Sequence, residues 1–181
     1  MPEYRRSKVP GGTYFFTVIT YQRGKFLTDE PFRHALREGI ALARKTLPFT
    51  IEAWVLLPDH LHCIWRLPQG DADYAKRWAV IKRHVSKHCG HLLARDVALS
   101  ESRLSRKESA AWQRRYWEHQ IRDEIDFARH ADYIHYNPVK HGYVKRVADW
   151  PYSSFHRLVQ AGMYPKDWAG ERDGSEGEFG E

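Results

Sequence analysis

Cysteine is nearly missing from this chain: Cys63 and Cys89 are the only two in 181 residues. Two cysteines build neither a disulfide framework nor a cysteine-rich zinc site, so both read as small reduced residues. No apolar run reaches the roughly eighteen residues that a membrane-spanning helix needs, and the opening MPEYRRSKVPGG lacks the apolar stretch of a signal peptide. These absences predict a cytoplasmic protein with no membrane partner. Internal repeats are absent as well.

What is present fits a globular body, with 42% hydrophobic and 14% aromatic residues. The charge is uneven. Residues 171–181 (ERDGSEGEFGE) carry five acids against one base, so a net charge of +6 becomes +10 over residues 1–170. We therefore expect one domain over 1–170 and a flexible acidic tail over 171–181. A basic body rich in rings suits a polyanion, because Lys and Arg neutralise phosphates and aromatic faces stack on unpaired bases.

Local patterns divide the body into elements. After a basic, turn-rich arm (Tyr4, Arg5, Arg6, then Pro10, Gly11, Gly12), TYFFTVITYQ is dense in β-branched and aromatic residues and predicts a strand. Asp29 and Pro31 mark the start of a helix whose Phe32, Leu36, Ile40, Ala43 and Leu47 recur at helical spacing until Pro48. FTIEAWVLL and LHCIWRL predict two more strands joined by a tight turn at Pro58 and Asp59. Residues 72–89 predict a helix with Trp78, Ile81 and Val85 on one face and Lys76, Arg83 and Lys87 on nearly the opposite one. The stretch 92–110 loses aromatics and reads as a loop or partly helical insertion, expected to be mobile. AWQRRYWEHQI (111–121) predicts a strand, and a helix capped by Asp123 follows, closed by Pro138. The order strand, helix, strand, strand, helix, strand, helix predicts an α+β ferredoxin-like sandwich with a central antiparallel sheet and helices packed on it.

His60 and His62 interrupt an apolar run, WVLLPDHLHCIW, where Val or Ile would pack better. In a strand they share one face while Leu61 points into a core. Tyr133 and Asn137, four apart in DYIHYNPVKHGYV, share one helical face, with His130 close by. Read alone, Tyr133 is a half-buried helix tyrosine. Read together, two imidazoles, an amide oxygen and a nucleophilic hydroxyl suit a divalent ion beside a phosphodiester. His84, His88 and His91 also have zinc-compatible helical spacing, but with Arg83 and Lys87 beside them a DNA-facing surface is the better reading.

These motifs resemble the tyrosine transposases of the histidine-hydrophobic-histidine nuclease superfamily. Within them, the chain is similar to the REP-associated tyrosine transposases related to the insertion-sequence-200 type. The resemblance runs through GGTYFFTV, WVLLPDHLHCIWRLP, RYWEHQIRDEIDF, DYIHYNPVKHGYV and WPYSSFH, nearly the whole chain. It implies metal-binding histidines at His60 and His62 and a catalytic tyrosine at Tyr133. Asn137 falls where related transposases place a third polar ligand, often Gln. It further implies a DNA-cleaving and strand-transferring enzyme that reads palindromic single-stranded DNA hairpins and cuts beside them, using Mg²⁺ or Mn²⁺ and a covalent 5′-phosphotyrosine. The hairpin substrate and a nucleoid-associated place in the cytoplasm come from the resemblance, not from composition.

For DNA contact, charge placement singles out Tyr4, Arg5 and Arg6, the stripe Lys76, Arg83 and Lys87, the pair Arg114 and Arg115, and Lys140 with His141 beside the catalytic helix. His130 and His135 are near Tyr133 in sequence, and which group accepts the Tyr133 proton stays open. Two other readings stay open: a hairpin-binding module without catalysis, and an RNA-binding or RNA-processing protein. A pure binder has no reason to keep a nucleophile beside metal ligands. Monomer and homodimer are both compatible with the sequence.

Overall fold

A computed structural model describes residues 7–93, 99–106 and 108–168. Strand β1 (Thr13–Ile19) sits at the centre of the sheet, and its residues serve two cores. Tyr14, Phe16 and Val18 face one layer and Phe15 faces the other, which is why this segment is aromatic and β-branched along its whole length rather than alternating. Helix α1 (Glu30–Thr46) follows Asp29, with Pro31 in its first turn. Then come β2 (Thr50–Leu56), β3 (His60–Arg66), α2 (Tyr74–Leu93), α3 (Glu101–Ser105), β4 (Trp117–Gln120), α4 (Glu124–Lys140) and α5 (Phe155–Gln160).

The strand order is β2-β3-β1-β4 and every neighbouring pair is antiparallel. Each helical crossover, β1-α1-β2 and β3-α2-β4, therefore steps over one strand, which is the ferredoxin-like arrangement expected from the sequence. Helices α1 and α2 pack against each other over a core of Phe16, Leu61, Cys63, Trp65, Trp78, Ile81 and Val85. Helix α4 covers the opposite face through a smaller core of Phe15, Ala53, Val55, Ile64, Ala131 and Ile134. No helix among the described residues is long and apolar enough to cross a membrane.

Two local expectations change and one alternative is decided. The strand predicted over 111–121 is a continuous ladder only over Trp117–Gln120; Trp112 keeps an isolated antiparallel bridge to Thr20, and side chains bond neighbouring carbonyls. Lys82 Nζ donates to the Gln113 carbonyl at 2.6 Å, and Arg103 Nη2 donates to that of Trp112 at 3.1 Å. Pro138 does not close α4; it lies inside the last turn, where its missing N–H costs one bond. The helix ends when His141 and Gly142 N–H donate to the Asn137 and Val139 carbonyls, with Gly142 in the left-handed region at φ +72°. Leu92 and Leu93 belong to α2, and Glu101–Ser105 form α3, so the predicted insertion is partly helical. Residues 94–98 and the tail over 171–181 lie outside the described residues.

Candidate active site

The turn at Pro58 and Asp59 delivers the chain into β3 with His60 first, and the strand's alternation puts His60 and His62 on the α4 face. Both are buried. Their rings stand 4.9 Å apart between centroids, at 81°. Each imidazole is anchored through Nδ1: His60 meets Asp59 Oδ1 at 2.8 Å, and His62 meets Thr17 Oγ1 at 2.8 Å from the neighbouring strand. With Nδ1–H donating to the Asp59 carboxylate, His60 presents its lone pair at Nε2, as a metal-binding imidazole does. Burial works to raise the Asp59 carboxyl, but the hydrogen bond to His60 and the charges of His60 and Arg23 hold it below its ordinary value.

Helix α4 brings the other half. Asp123 caps it by accepting from Asp126 N–H at 2.8 Å, and Ala131 and Ile134 seat it on the sheet. That seating turns Tyr133 toward β1 and β3, where its ring lies 5.2 Å from His62 and 6.2 Å from Phe15. At the helix end His141 reaches the other imidazole, 5.1 Å from His60. Asn137 is one turn after Tyr133 and one turn before His141, so it falls between the two positions that touch the histidine pair, and its carboxamide oxygen is buried. Two imidazole nitrogens and a carboxamide oxygen form a donor set that fits a divalent ion and leaves positions for phosphate oxygens.

Lys140 has a role that its charge alone did not reveal. Its Nζ donates to Tyr133 Oη at 3.1 Å and lies 4.8 Å from the ring centroid. The signal was available in the spacing, since seven residues are two helical turns. Asp59 and Thr17, which anchor the histidines, were also missed. The two histidines near Tyr133 in sequence are engaged elsewhere. His130 Nδ1 meets the Asp126 carbonyl at 2.8 Å, and His135 Nε2 meets Ser154 Oγ at 2.9 Å. Burial pushes the His135 imidazole down to about 4.

The proposed DNA contacts scatter. Lys76, Arg83 and Lys87 are exposed on α2, in the layer across the sheet from Tyr133, and Lys76 pairs with Asp73 at 3.0 Å. Arg114 is held by Glu108 and the Ser102 hydroxyl, both at 2.8 Å. Arg115 is exposed and makes no ion pair among the described residues. Tyr4, Arg5 and Arg6 lie outside the described residues. On α2, the His84 and His88 rings stack at 4.0 Å and His84 meets Glu38 at 3.3 Å.

No protein-family model matches the chain. It is 46% identical over 172 residues to the REP-associated tyrosine transposase of Escherichia coli (strain K12), covering 94% of this chain and 93% of that protein. The chain belongs to the REP-associated tyrosine transposases. A relative of the same family from Haemophilus influenzae is 46% identical over 180 residues, with 96% of each chain covered. A solved REP-associated tyrosine transposase bound to a REP hairpin matches with a TM-score of 0.78 at 45% identity, covering 95% of this chain and 98% of that one. The shared fold thus extends over nearly the whole chain.

Proposed function

We propose that this transposase is a metal-dependent single-stranded DNA transesterase that binds palindromic REP-type hairpins and cuts and rejoins DNA beside them. The observation that carries the reading is the meeting of His60 and His62 from β3 with Tyr133 from α4, ring against ring. His60, His62 and Asn137 would hold Mg²⁺ or Mn²⁺, which supplies Lewis-acid polarisation of a non-bridging oxygen on the scissile phosphate.

The chain's own residues account for the remaining steps. Tyr133 Oη loses its proton to solvent and attacks phosphorus, the P–O3′ bond breaks, and the leaving 3′ oxygen takes a proton from solvent. A 5′-phosphotyrosine and a free 3′-OH result. A phenol with an ordinary pKa of about 10 needs help at neutral pH, and the Lys140 ammonium on Oη favours the phenolate. Rejoining is the same exchange in reverse: a 3′-OH attacks the phosphotyrosine and the Tyr133 phenolate leaves. One phosphoester replaces another at each step, so no nucleotide triphosphate is required. His141, exposed beside His60, and Lys140 stand where a bound phosphate would pass.

The test is incubation of 5′- and 3′-labelled single-stranded hairpin DNA with Mg²⁺ or Mn²⁺, parent against Tyr133→Phe, resolved on a denaturing gel. A covalent adduct that vanishes in the variant is the expected result. Tight hairpin binding with no adduct under any metal or sequence would make the protein a binding module instead.

A further inference from the structure

A second group of donors gathers at the rim of the smaller core, apart from His60, His62 and Asn137. Among the described residues, His119, Asp126 and His130 are the one set of three His, Cys, Asp or Glu side chains whose ligand atoms all lie within 4.8 Å of one another. They come from both sides of a short connection: β4 supplies His119, and α4 supplies Asp126 and, one turn on, His130. His119 Nε2 is 2.8 Å from Asp126 Oδ2, and His130 Nδ1 is 3.1 Å from Asp126 Oδ1, so a single carboxylate spans two imidazoles. The two rings are nearly parallel, 13° apart with centroids at 4.5 Å.

We propose that His119, Asp126 and His130 bind a divalent d-block cation, with Zn²⁺ the best fit, at a site separate from the catalytic donors, and that the ion fastens β4 to the helix bearing Tyr133. Two imidazoles and one carboxylate, with water in the fourth position, form a set that Zn²⁺ accepts in tetrahedral geometry. With bonds of about 2.0–2.1 Å, tetrahedral ligand atoms stand about 3.3 Å apart; the imidazole–carboxylate contacts of 2.8 and 3.1 Å need open only slightly to reach that spacing, and the remaining ligand atoms, all within 4.8 Å of one another, close toward it. Ligation replaces the contacts of His130 Nδ1 with the Asp126 carbonyl and carboxylate and that of His119 Nε2 with the same carboxylate.

The protonation states suit a cation. Burial, aided by the His119 and Arg129 charges, holds His130 below the ordinary imidazole value, so it is neutral with a lone pair at pH 7. Burial works to raise the Asp126 carboxyl, but the hydrogen bonds from His119 and the Arg122 N–H outweigh it and keep the group ionised. His119 and Asp126 remain partly exposed, which gives an ion a way in and leaves room for a water ligand. Phe15 stands between the two sites, its ring 4.8 Å from His130, 5.5 Å from His62 and 6.2 Å from Tyr133. An ion at the rim therefore bears on the wall of the catalytic site without sharing a ligand with it.

The test uses the full chain, stripped of metal and without DNA, titrated with ZnCl₂ alone by calorimetry and followed by thermal melting. Its outcome is independent of whether the protein cleaves DNA. The expected result is one equivalent bound by the His60→Ala/His62→Ala variant with a raised Tm, weakened at least tenfold when Asp126→Asn or His119→Gln is added. Asp126→Asn keeps an acceptor for the Arg122 N–H, so a folded variant is expected. Should the histidine-pair variant fail the circular-dichroism check for folding, the parent chain is titrated instead. It should then bind two equivalents, one of which His119→Gln removes. No zinc in the histidine-pair variant, or unchanged affinity in both rim variants, overturns the site.

Discussion

Lys140 donates to Tyr133: Nζ stands 3.1 Å from Oη, two helical turns along α4 from the residue it contacts. The ammonium stabilises negative charge on the phenol oxygen, and in the proposed exchange that charge would develop both when Tyr133 attacks and when it leaves. Lys140→Met should slow single-turnover adduct formation about 100-fold, the scale for removing one donor aimed at developing charge. Hairpin affinity should change little, and Lys140→Arg, which keeps the charge, should recover most of the rate. If affinity and rate fall together in Lys140→Met, the residue is a phosphate contact, the role expected from its charge alone.

The anchors of the histidine pair predict metal affinity. Asp59 fixes the His60 ring and Thr17 fixes that of His62, each at 2.8 Å. Asp59→Asn and the nearly isosteric Thr17→Val should each weaken Mn²⁺ binding about 10- to 100-fold. Mn²⁺ titration followed by electron paramagnetic resonance reads this directly. Affinity equal to the parent's in both variants would mean the imidazoles are oriented by packing alone.

Much of this site was legible in the sequence, and the reason is periodicity. A strand period of two put His60 and His62 on one face, and a helical spacing of four put Tyr133 and Asn137 on another; antiparallel pairing and α4 then brought the faces together. What escaped was set by tertiary geometry. Thr17 meets His62 only because β1 pairs β3 in that register. The residues before β4 looked like strand because Trp112 and Tyr116 carry β propensity, yet only an isolated bridge from Trp112 to Thr20 forms there, while Lys82 bonds the Gln113 carbonyl and Arg103 that of Trp112. The gathering of His119 with Asp126 and His130 needed the turn between β4 and α4, which no motif announced.

Two adjacent arginines should behave differently toward DNA. Arg114 is already committed to Glu108 and Ser102, whereas exposed Arg115 has no ion pair among the described residues. Arg115→Ala should reduce the slope of log affinity for hairpin DNA against log salt by about one, the loss of a single phosphate contact. Arg114→Ala should leave that slope nearly unchanged. Fluorescence anisotropy across a salt series separates the two, and equal slopes for all three proteins would remove Arg115 from the interface.

The stability of the sandwich should depend on one buried guanidinium. Arg77, fully buried, donates to the Leu47, Pro48 and Asp73 carbonyls at 3.2, 2.7 and 2.9 Å and to Asp71 Oδ2 at 2.7 Å, tying the end of α1 to the start of α2. Arg77→Met strands these acceptors and should cost about 3 kcal/mol in urea denaturation at pH 7. The Arg77 hydrogen bond, against the opposing effect of burial, holds the Asp71 carboxyl below its ordinary value of 3.8. A carboxyl lowered on folding contributes stability above its unfolded value, and the contribution is lost as pH falls through the folded value. The stability gap between the parent and Asp71→Asn should therefore be constant from neutral pH down to about 5 and shrink below about 4. A gap that stays constant to still lower pH would show that Asp71 acts as a hydrogen-bond acceptor whose charge is irrelevant to Arg77.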